Sequence, residues 1–343
     1  MKTCYAFKNR IFCYALIFLA LFVSVNPVFA QRVTINLASL VPENTPWGAA
    51  INRMAADWQR VTNGDVQVRV FHNGVAGDEP EVLRKLNLNS IQAAVFTSIG
   101  ISSIIPEVMA VSYPFLIRND AELNEVMSRI RSDLDTIIQQ KRYITLAWAN
   151  AGWIKIFSKT PVYVPADLRR LKLGTSSAEE MLQAFRIMGY QMVPTSLNQI
   201  LTDLNSGRVD AIYQSPIYAA SGQIFGVAKN MASINVAPFM GGILMNETAW
   251  RRIPDRYKDQ LMAICKQMER DIERSIISLE NETISTMVRY GLQINQLSPQ
   301  QVQEWYDDTA RYESRLIGSN PPVFNREYYN RISAILAEYR RGR

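Results

Sequence analysis

Apolar and polar residues alternate from Val33 through Ile35 to Leu37, the period-two pattern of a half-buried strand. A loop follows, and Asn44-Thr45-Pro46 sets a capping residue ahead of a proline suited to the first helical position. Trp47, Ile51, Met54 and Trp58 then step by four, three and four, which places them on one helical face. Asn63-Gly64 ends that helix, and Val66–Phe71 predicts the next strand. This strand–helix–strand rhythm predicts a parallel α/β sheet.

A second pattern repeats within the chain. Glu81-Val-Leu-Arg-Lys-Leu-Asn leads after a turn into Ile91-Gln-Ala-Ala-Val-Phe, and the same order returns as Gln199-Ile-Leu-Thr-Asp-Leu-Asn and Val209-Asp-Ala-Ile-Tyr-Gln. Without a gap, Val82 matches Ile200, Leu86 matches Leu204, Asn87 matches Asn205 and Ala93 matches Ala211. Each unit reads as a short amphipathic helix feeding a buried strand. The strand ends deliver Phe96-Thr97-Ser98 and Gln214-Ser215-Pro216. Ligands of open α/β sheets bind beyond the carboxyl ends of strands, so two such ends facing each other predict a cleft between two lobes. The other reading is that helix–strand units of any α/β protein share this look.

Between Pro254 and Gly291, Tyr257, Leu261, Ile264, Met268, Ile272 and Ile276 keep helical spacing. A continuous helix over Asp255–Tyr290 is roughly 54 Å long, more than the width of one lobe, and reads as a brace across both. Two shorter helices meeting near Glu280-Asn281 are the alternative. Ser298-Pro299-Gln300-Gln301 opens a further helix with a capping box, and a last one starts at Asn325.

The first thirty residues read as an address rather than structure. Lys2, Lys8 and Arg10 precede the apolar Ile11–Val25, and Val28-Phe29-Ala30 ends in a small-residue cleavage pattern, so a secretory signal is expected with the mature chain starting near Gln31. The apolar run is shorter than the roughly 20 residues a spanning helix needs. The leader changes the charge picture. The chain carries 37 basic and 31 acidic residues, and Lys2, Lys8 and Arg10 belong to the leader, which holds no acidic residue. The rest of the chain is near neutral, and gives no argument for nucleic acid or a membrane surface as partner. Cys265 is the only cysteine beyond the leader, which leaves no intrachain disulfide and makes apolar burial hold the core.

Catalytic chemistry finds little to use, and the chain reads as a non-enzyme with no cofactor and no metal site. His72 is the sole histidine, in the polar turn His72-Asn73-Gly74, and is expected at the surface. No nucleophile elbow or P-loop pattern is present. One histidine and one cysteine fall short of a zinc site, and no EF-hand-like loop is present. Cys265 lies in a helical apolar stripe and is expected to be buried.

Several short runs, in order, carry a resemblance: Leu40-Val-Pro-Glu-Asn-Thr-Pro-Trp-Gly, Gly74-Val-Ala-Gly-Asp-Glu, Pro106-Glu-Val, Tyr113-Pro-Phe-Leu, Val164-Pro-Ala-Asp-Leu, Gly207-Arg-Val-Asp-Ala and Trp250-Arg-Arg-Ile-Pro. Together they resemble the substrate-binding proteins of TRAP transporters, the DctP-like family. That resemblance implies a two-lobed periplasmic-binding-protein-like α/β fold with an interlobe cleft and a long bridging helix. It also implies capture of a small-molecule ligand by lobe closure, delivery to a membrane permease, and in some relatives a helical-repeat periplasmic lipoprotein as partner. Lobe I is expected over 31–150 with about 236–265, and lobe II over 151–235 with part of 266–343, the helix near 255–290 bridging both.

The run Pro165–Ser177 departs from the family where cargo chemistry belongs. An arginine that clamps the cargo carboxylate in the family is matched here by Gly174. Gly152-Trp153-Ile154 is apolar where a polar or basic residue is frequent, and Tyr213-Gln214-Ser215-Pro216 stands in place of an acidic-Asn-Pro segment. An unpaired buried carboxylate costs about several kcal/mol, so loss of the clamp points away from small diacids. The expected ligand residues are Trp47, Glu79, Phe96, Thr97, Tyr113, Trp148, Trp153, Gly174, Thr175, Tyr213, Gln214, Tyr218, Phe239 and Met240. Their aromatic bias suits an apolar or amphipathic ligand. Trp47 and Phe115 also suit a core, Trp148 and Trp153 suit core and pocket equally, and Glu79 also suits a helix cap. Lys155 is one residue out of register to replace the arginine, because alternation points it to the other face. A conventional organic-acid receptor using other polar residues, and a scaffold or signalling protein that has lost its ligand, are the competing expectations.

Overall fold

The computed structural model describes residues 32–175, 179–196, 199–318 and 323–342. The expected leader and the Ser176–Ser177 end of the Pro165–Ser177 run lie outside the described residues. The first elements are β1 (Val33–Ala38), α1 (Pro46–Val61), β2 (Val66–Phe71), α2 (Glu79–Asn87), β3 (Ala93–Thr97), α3 (Ser98–Ser102) and α4 (Asp120–Gln140). Then come β4 (Tyr143–Ser158), α5 (Pro165–Arg169), β5 (Lys172–Thr175), α6 (Glu179–Ile187), β6 (Gln191–Pro194), α7 (Ile200–Ser206), β7 (Ala211–Gln214) and α8 (Pro216–Ser221). The chain continues through β8 (Asn230–Ala232), β9 (Ala237–Asn246), α9 (Glu247–Arg252), α10 (Asp255–Arg289), β10 (Gln293–Asn295), α11 (Pro299–Gly318) and α12 (Arg326–Arg341).

The paired strands run in the order β2-β1-β3-β9-β4-β7-β5-β6, with β8 beside β4 and β10 beside β8. β1 is parallel to both β2 and β3, and β5 is parallel to both β6 and β7. Antiparallel β9 and β4 join these two parallel sets. β4 carries the crossing: Tyr143 to Asn150 and then Trp153 and Ile154 pair with β9, and Lys155 to Ser158 pair with β7. Within the β9 pairing the register shifts at Asn150/Trp153, where Gly152 adopts φ +93°, a conformation glycine takes without a Cβ clash.

Local chemistry explains the elements. Thr45 caps α1 by accepting from Gly48 N at 3.2 Å, with Pro46 in the first turn. Ile51, Met54 and Trp58 of that helix are buried with Val33, Ile35 and Leu37 of β1. Ser298 and Gln301 form the reciprocal capping box that opens α11, Ser298 N donating to Gln301 Oε1 at 2.8 Å and Gln301 N to Ser298 Oγ at 3.3 Å. The two echoed units fold alike, and the likeness extends one element further. Thr97 caps α3 by accepting from Ile99 N, and Ser215 caps α8 by accepting from Tyr218 N.

α10 is one continuous helix of 35 residues, with no break near Glu280. Leu261, Cys265, Met268 and Ile272 are buried against α1 and the β1 side of the sheet, whereas Met287 is buried with Ile200, Leu204 and Ile212 near β7. Fully burying each large apolar side chain contributes about 1.5–3 kcal/mol, so the helix is anchored at both ends.

His72 is not a surface residue: it is 7% exposed, with Nδ1 3.2 Å from Val41 O and Nε2 2.9 Å from Asn52 Oδ1. The polar turn that surrounds it in sequence folds back under the loop after β1, so the imidazole ties that loop to α1.

Candidate functional site

β3 and β7 run toward each other from opposite halves of the sheet. Thr97 lies opposite Gly241, which lies opposite Ala149, while Gln214 lies opposite Lys155. The two carboxyl ends therefore face one another across the Asn150–Ile154 stretch of β4. A cavity of about 170 Å³ opens there. From the first half it is lined by Leu40, Val41, Pro42, Thr45, Trp47 and Ile51 on the way into α1, and by Val95, Phe96 and Thr97. β4 and β9 supply Ala147–Ala149, Ala151 and Phe239–Ile243. The second half supplies Ser215, Ile217, Tyr218 and Ser221, and α10 adds Met268 and Ile272.

No residue of this lining is charged. Its hydroxyls are mostly committed to the protein. Thr45 Oγ1 donates to Pro42 O at 2.6 Å, Thr97 Oγ1 to Glu79 Oε2 at 3.0 Å and Ser221 Oγ to Tyr218 O at 3.1 Å. Among the described residues, the Tyr218 hydroxyl and the Trp47 indole N–H have no hydrogen-bond partner. Burial pushes the Tyr218 hydroxyl above the usual tyrosine range, which keeps it a neutral donor. Gly241 and Gly242 let the strands approach at the wall: a Cβ at Gly241 would stand 2.6 Å from Phe96 O, and one at Gly242 3.0 Å from Ala147 O. The Trp148 ring is held by its Nε1, which donates to Asp135 Oδ1 at 2.8 Å.

Of the residues expected from the sequence, Trp47, Phe96, Thr97, Trp148, Tyr218, Phe239 and Met240 line this cavity. The others lie elsewhere. Tyr113 packs its ring 4.8 Å from that of Phe324 and 4.7 Å from that of Tyr329, in the core. Tyr213 meets Phe185 edge-on at 5.1 Å. Gln214 Oε1 accepts from Ser215 N at 2.8 Å, and Thr175 O accepts from Thr195 N at 3.0 Å. Gly174 faces the second half's interior, where an added Cβ would meet Val209 Cγ1 at 3.1 Å and Thr195 Cγ2 at 3.2 Å. Glu79 sits behind the wall, its carboxylate accepting from Thr97 N and Thr97 Oγ1. Phe115 packs against Trp305 at 5.5 Å, as a core residue does.

Trp153 belongs to a polar cluster at the crossing. Its backbone N–H donates to Glu280 Oε2 at 2.8 Å and its indole Nε1 to Asp120 Oδ1 at 3.1 Å. Lys155 Nζ donates to Asn235 Oδ1 at 2.6 Å, and Gly152 N to Asn150 Oδ1 at 2.9 Å. Lys155 and Glu280 are each only 8% exposed. Burial holds the Lys155 ammonium below the usual lysine range and pushes the Glu280 carboxyl above its own, with the charge of each opposing the other's shift. The cluster thus fixes the bend of β4 beside the cavity.

Leu40–Pro42, Ile217, Gly241-Gly242, Met268 and Ile272 were not expected at the site. The glycine pair was the readable signal, since adjacent glycines in a strand mark close approach. Met268 and Ile272 offered none, because a helix stripe does not say which of its residues faces a void.

Two half-sheets joined through a bent pair of strands, with a cavity where strand ends face each other, make a two-lobed α/β solute receptor. A family model described as bacterial extracellular solute-binding protein, family 7 (DctP) matches residues 37–316, and the chain belongs to that family, the solute-binding proteins of TRAP transporters. The chain is similar to a solute-binding protein of Verminephrobacter eiseniae, 26% identical over 66% of this chain and 68% of the relative. It is also similar to the 2,3-diketo-L-gulonate-binding periplasmic protein of Escherichia coli, 21% identical over 69% of this chain and 73% of that one. In fold it matches a TRAP periplasmic solute-binding protein of Chromohalobacter salexigens with bound D-glucuronate, at a TM-score of 0.81 and 17% identity over 88% of this chain and 99% of that chain.

Proposed function

We propose that this protein is an extracytoplasmic receptor, not an enzyme, that captures a small apolar or amphipathic molecule between its lobes and hands it to a TRAP-type permease. Residues 1–30 act as its secretory signal and place it in the periplasm. Lobe I comprises 31–150 with about 236–265, and lobe II 151–235 with part of 266–343. The observation that carries the cargo class is a cavity lining without a single charged side chain. Enclosing a carboxylate there with no counter-charge costs about several kcal/mol, whereas an apolar body gains from every contact.

The relatives favour a second reading. The Escherichia coli relative is named for 2,3-diketo-L-gulonate and the Chromohalobacter structure holds D-glucuronate, both polar acids. On that reading this chain binds a conventional organic acid through backbone groups and the Tyr218 hydroxyl. Native mass spectrometry of the purified protein, followed by denaturing release, separates the two. A molecule with a predominantly hydrocarbon skeleton is expected. Recovery of a sugar acid or small diacid overturns the apolar reading.

A further inference from the structure

We propose that the groove between α1 and α10 is the head-group subsite of this cavity, and that Arg53 there takes the carboxylate of a cargo whose apolar body fills the cavity. This rests on the apolar-cargo reading above and adds where its one polar end goes.

The groove has a volume of about 230 Å³ and includes Trp47, Ala50, Arg53, Asp271, Ile272 and Ser275 in its lining. Trp47 and Ile272 also line the cavity, so the two spaces adjoin across these side chains. The proposed path of the ligand to Arg53 runs between these two side chains.

Arg131 and Lys155, two other cations close to the lining strands, are already engaged. Arg131 binds Glu269 through both terminal nitrogens and lies 3.7 Å from Asp135. Lys155 is held by Asn235 and balanced by Glu280 and Asp120. Arg53 is exposed, and among the described residues no hydrogen bond or ion pair engages it. Of the other polar groups of the groove, Asp271 accepts through Oδ1 from Arg274 at 2.7 Å and Gln267 at 2.8 Å, and Ser275 Oγ donates to Ile272 O at 2.9 Å.

Charge and size narrow the ligand. One free guanidinium balances one negative charge, and its planar fork matches a carboxylate. A phosphate monoester carries close to two charges at neutral pH and would leave one uncompensated beside Asp271. The cavity is close in size to the ~150 Å³ apolar void that holds a benzene molecule, so the body is a single ring or a short alkyl chain. The class is a monocarboxylic acid with an aryl or alkyl body.

Isothermal titration of the purified protein, stripped of co-purified molecules by unfolding and refolding, tests this with two matched pairs: 3-phenylpropionate against its amide, and octanoate against its amide. At least one acid is expected to bind roughly tenfold tighter than its amide. Arg53→Gln should bring that acid down to the amide's affinity and leave the amide unmoved. Arg53→Gln alters an exposed side chain, so an unchanged melting temperature without ligand checks that the fold is intact. Equal binding of acids and amides by the unaltered protein sinks the head-group assignment while the apolar reading stands. An acid preference that survives Arg53→Gln sinks it too. No binding by either pair overturns the apolar reading, and the inference with it.

Discussion

Two adjoining stretches of β4 meet opposite surroundings. Ala147–Ala151 borders a cavity whose lining holds no charged side chain. Gly152–Lys155, directly after it, is gripped by Glu280 and Asp120 and itself carries the buried Lys155. Buried charge is tolerated where every partner is fixed in advance, as the covalent chain and α10 do at the crossing. In the cavity the partner arrives only with the cargo, and a charge left facing an apolar molecule would stay unpaired. Buried charge thus shapes the bend of β4, and none lines the cavity beside it.

The comparison breaks most readily at Glu280. Glu280→Ala removes the acceptor of the Trp153 N–H and the charge that balances Lys155. A loss of about 3 kcal/mol in unfolding free energy is expected, read as a lower urea midpoint with an unchanged slope. A loss below about 1 kcal/mol would mean that the cluster is solvated and does not hold the crossing.

On the cavity side the effect should fall on affinity instead. Ala151→Trp puts an indole into the space that the cargo is proposed to occupy. At least about a tenfold loss of affinity for whichever ligand is recovered is expected, with stability within about 1 kcal/mol of the unaltered protein. Binding that survives this change would place the cargo outside the cavity.

These two regions were unequally legible in the sequence. β1, α1 and α10 follow from local periodicity, and the echo of Val82–Ala93 in Ile200–Ala211 points to two facing strand ends, because helix and strand patterns are written within a few residues. The site mixes local and distant signals. Phe96, Thr97 and Tyr218 follow directly from strand ends that the echo locates. Trp153 and Tyr113 do not: their neighbours Glu280, Phe324 and Tyr329 lie far along the chain, and no spacing rule joins them. His72 misleads for the same reason, since its partners Val41 and Asn52 precede it by a strand and a helix. Gly174 is legible as a departure from a family pattern, yet the room for a side chain there is set by Thr195 and Val209 from two neighbouring segments.

A smaller change sharpens the contrast within the cavity itself. Tyr218 offers an uncommitted hydroxyl in an otherwise apolar lining, and Tyr218→Phe keeps the ring while removing that donor. A cargo with a polar atom at that point loses roughly threefold to tenfold in affinity, as expected for one neutral hydrogen bond. A purely hydrocarbon contact leaves affinity unchanged, so calorimetry on this variant locates the ligand's polar atom relative to Tyr218.

The smallest expected effect comes from Glu79, a carboxylate that backs the cavity wall at Thr97. Burial raises its pKa above the ordinary carboxylate range, opposed by the hydrogen bonds from Thr97 and assisted by the nearby charge of Asp78. A raised folded-state pKa means that the folded protein holds this proton more tightly than the unfolded chain does. The resulting stability is fully present below the unfolded value and is lost as pH rises through the folded one. Glu79→Gln cannot ionise, so the part of the pH slope due to this group should vanish over that window, although the amide offers Thr97 one acceptor oxygen in place of two. Urea midpoints of both proteins across a pH series, from below the unfolded glutamate value to neutrality, read the difference directly. Parallel curves would mean that water reaches the Glu79 carboxyl and that the cavity wall is open behind Thr97.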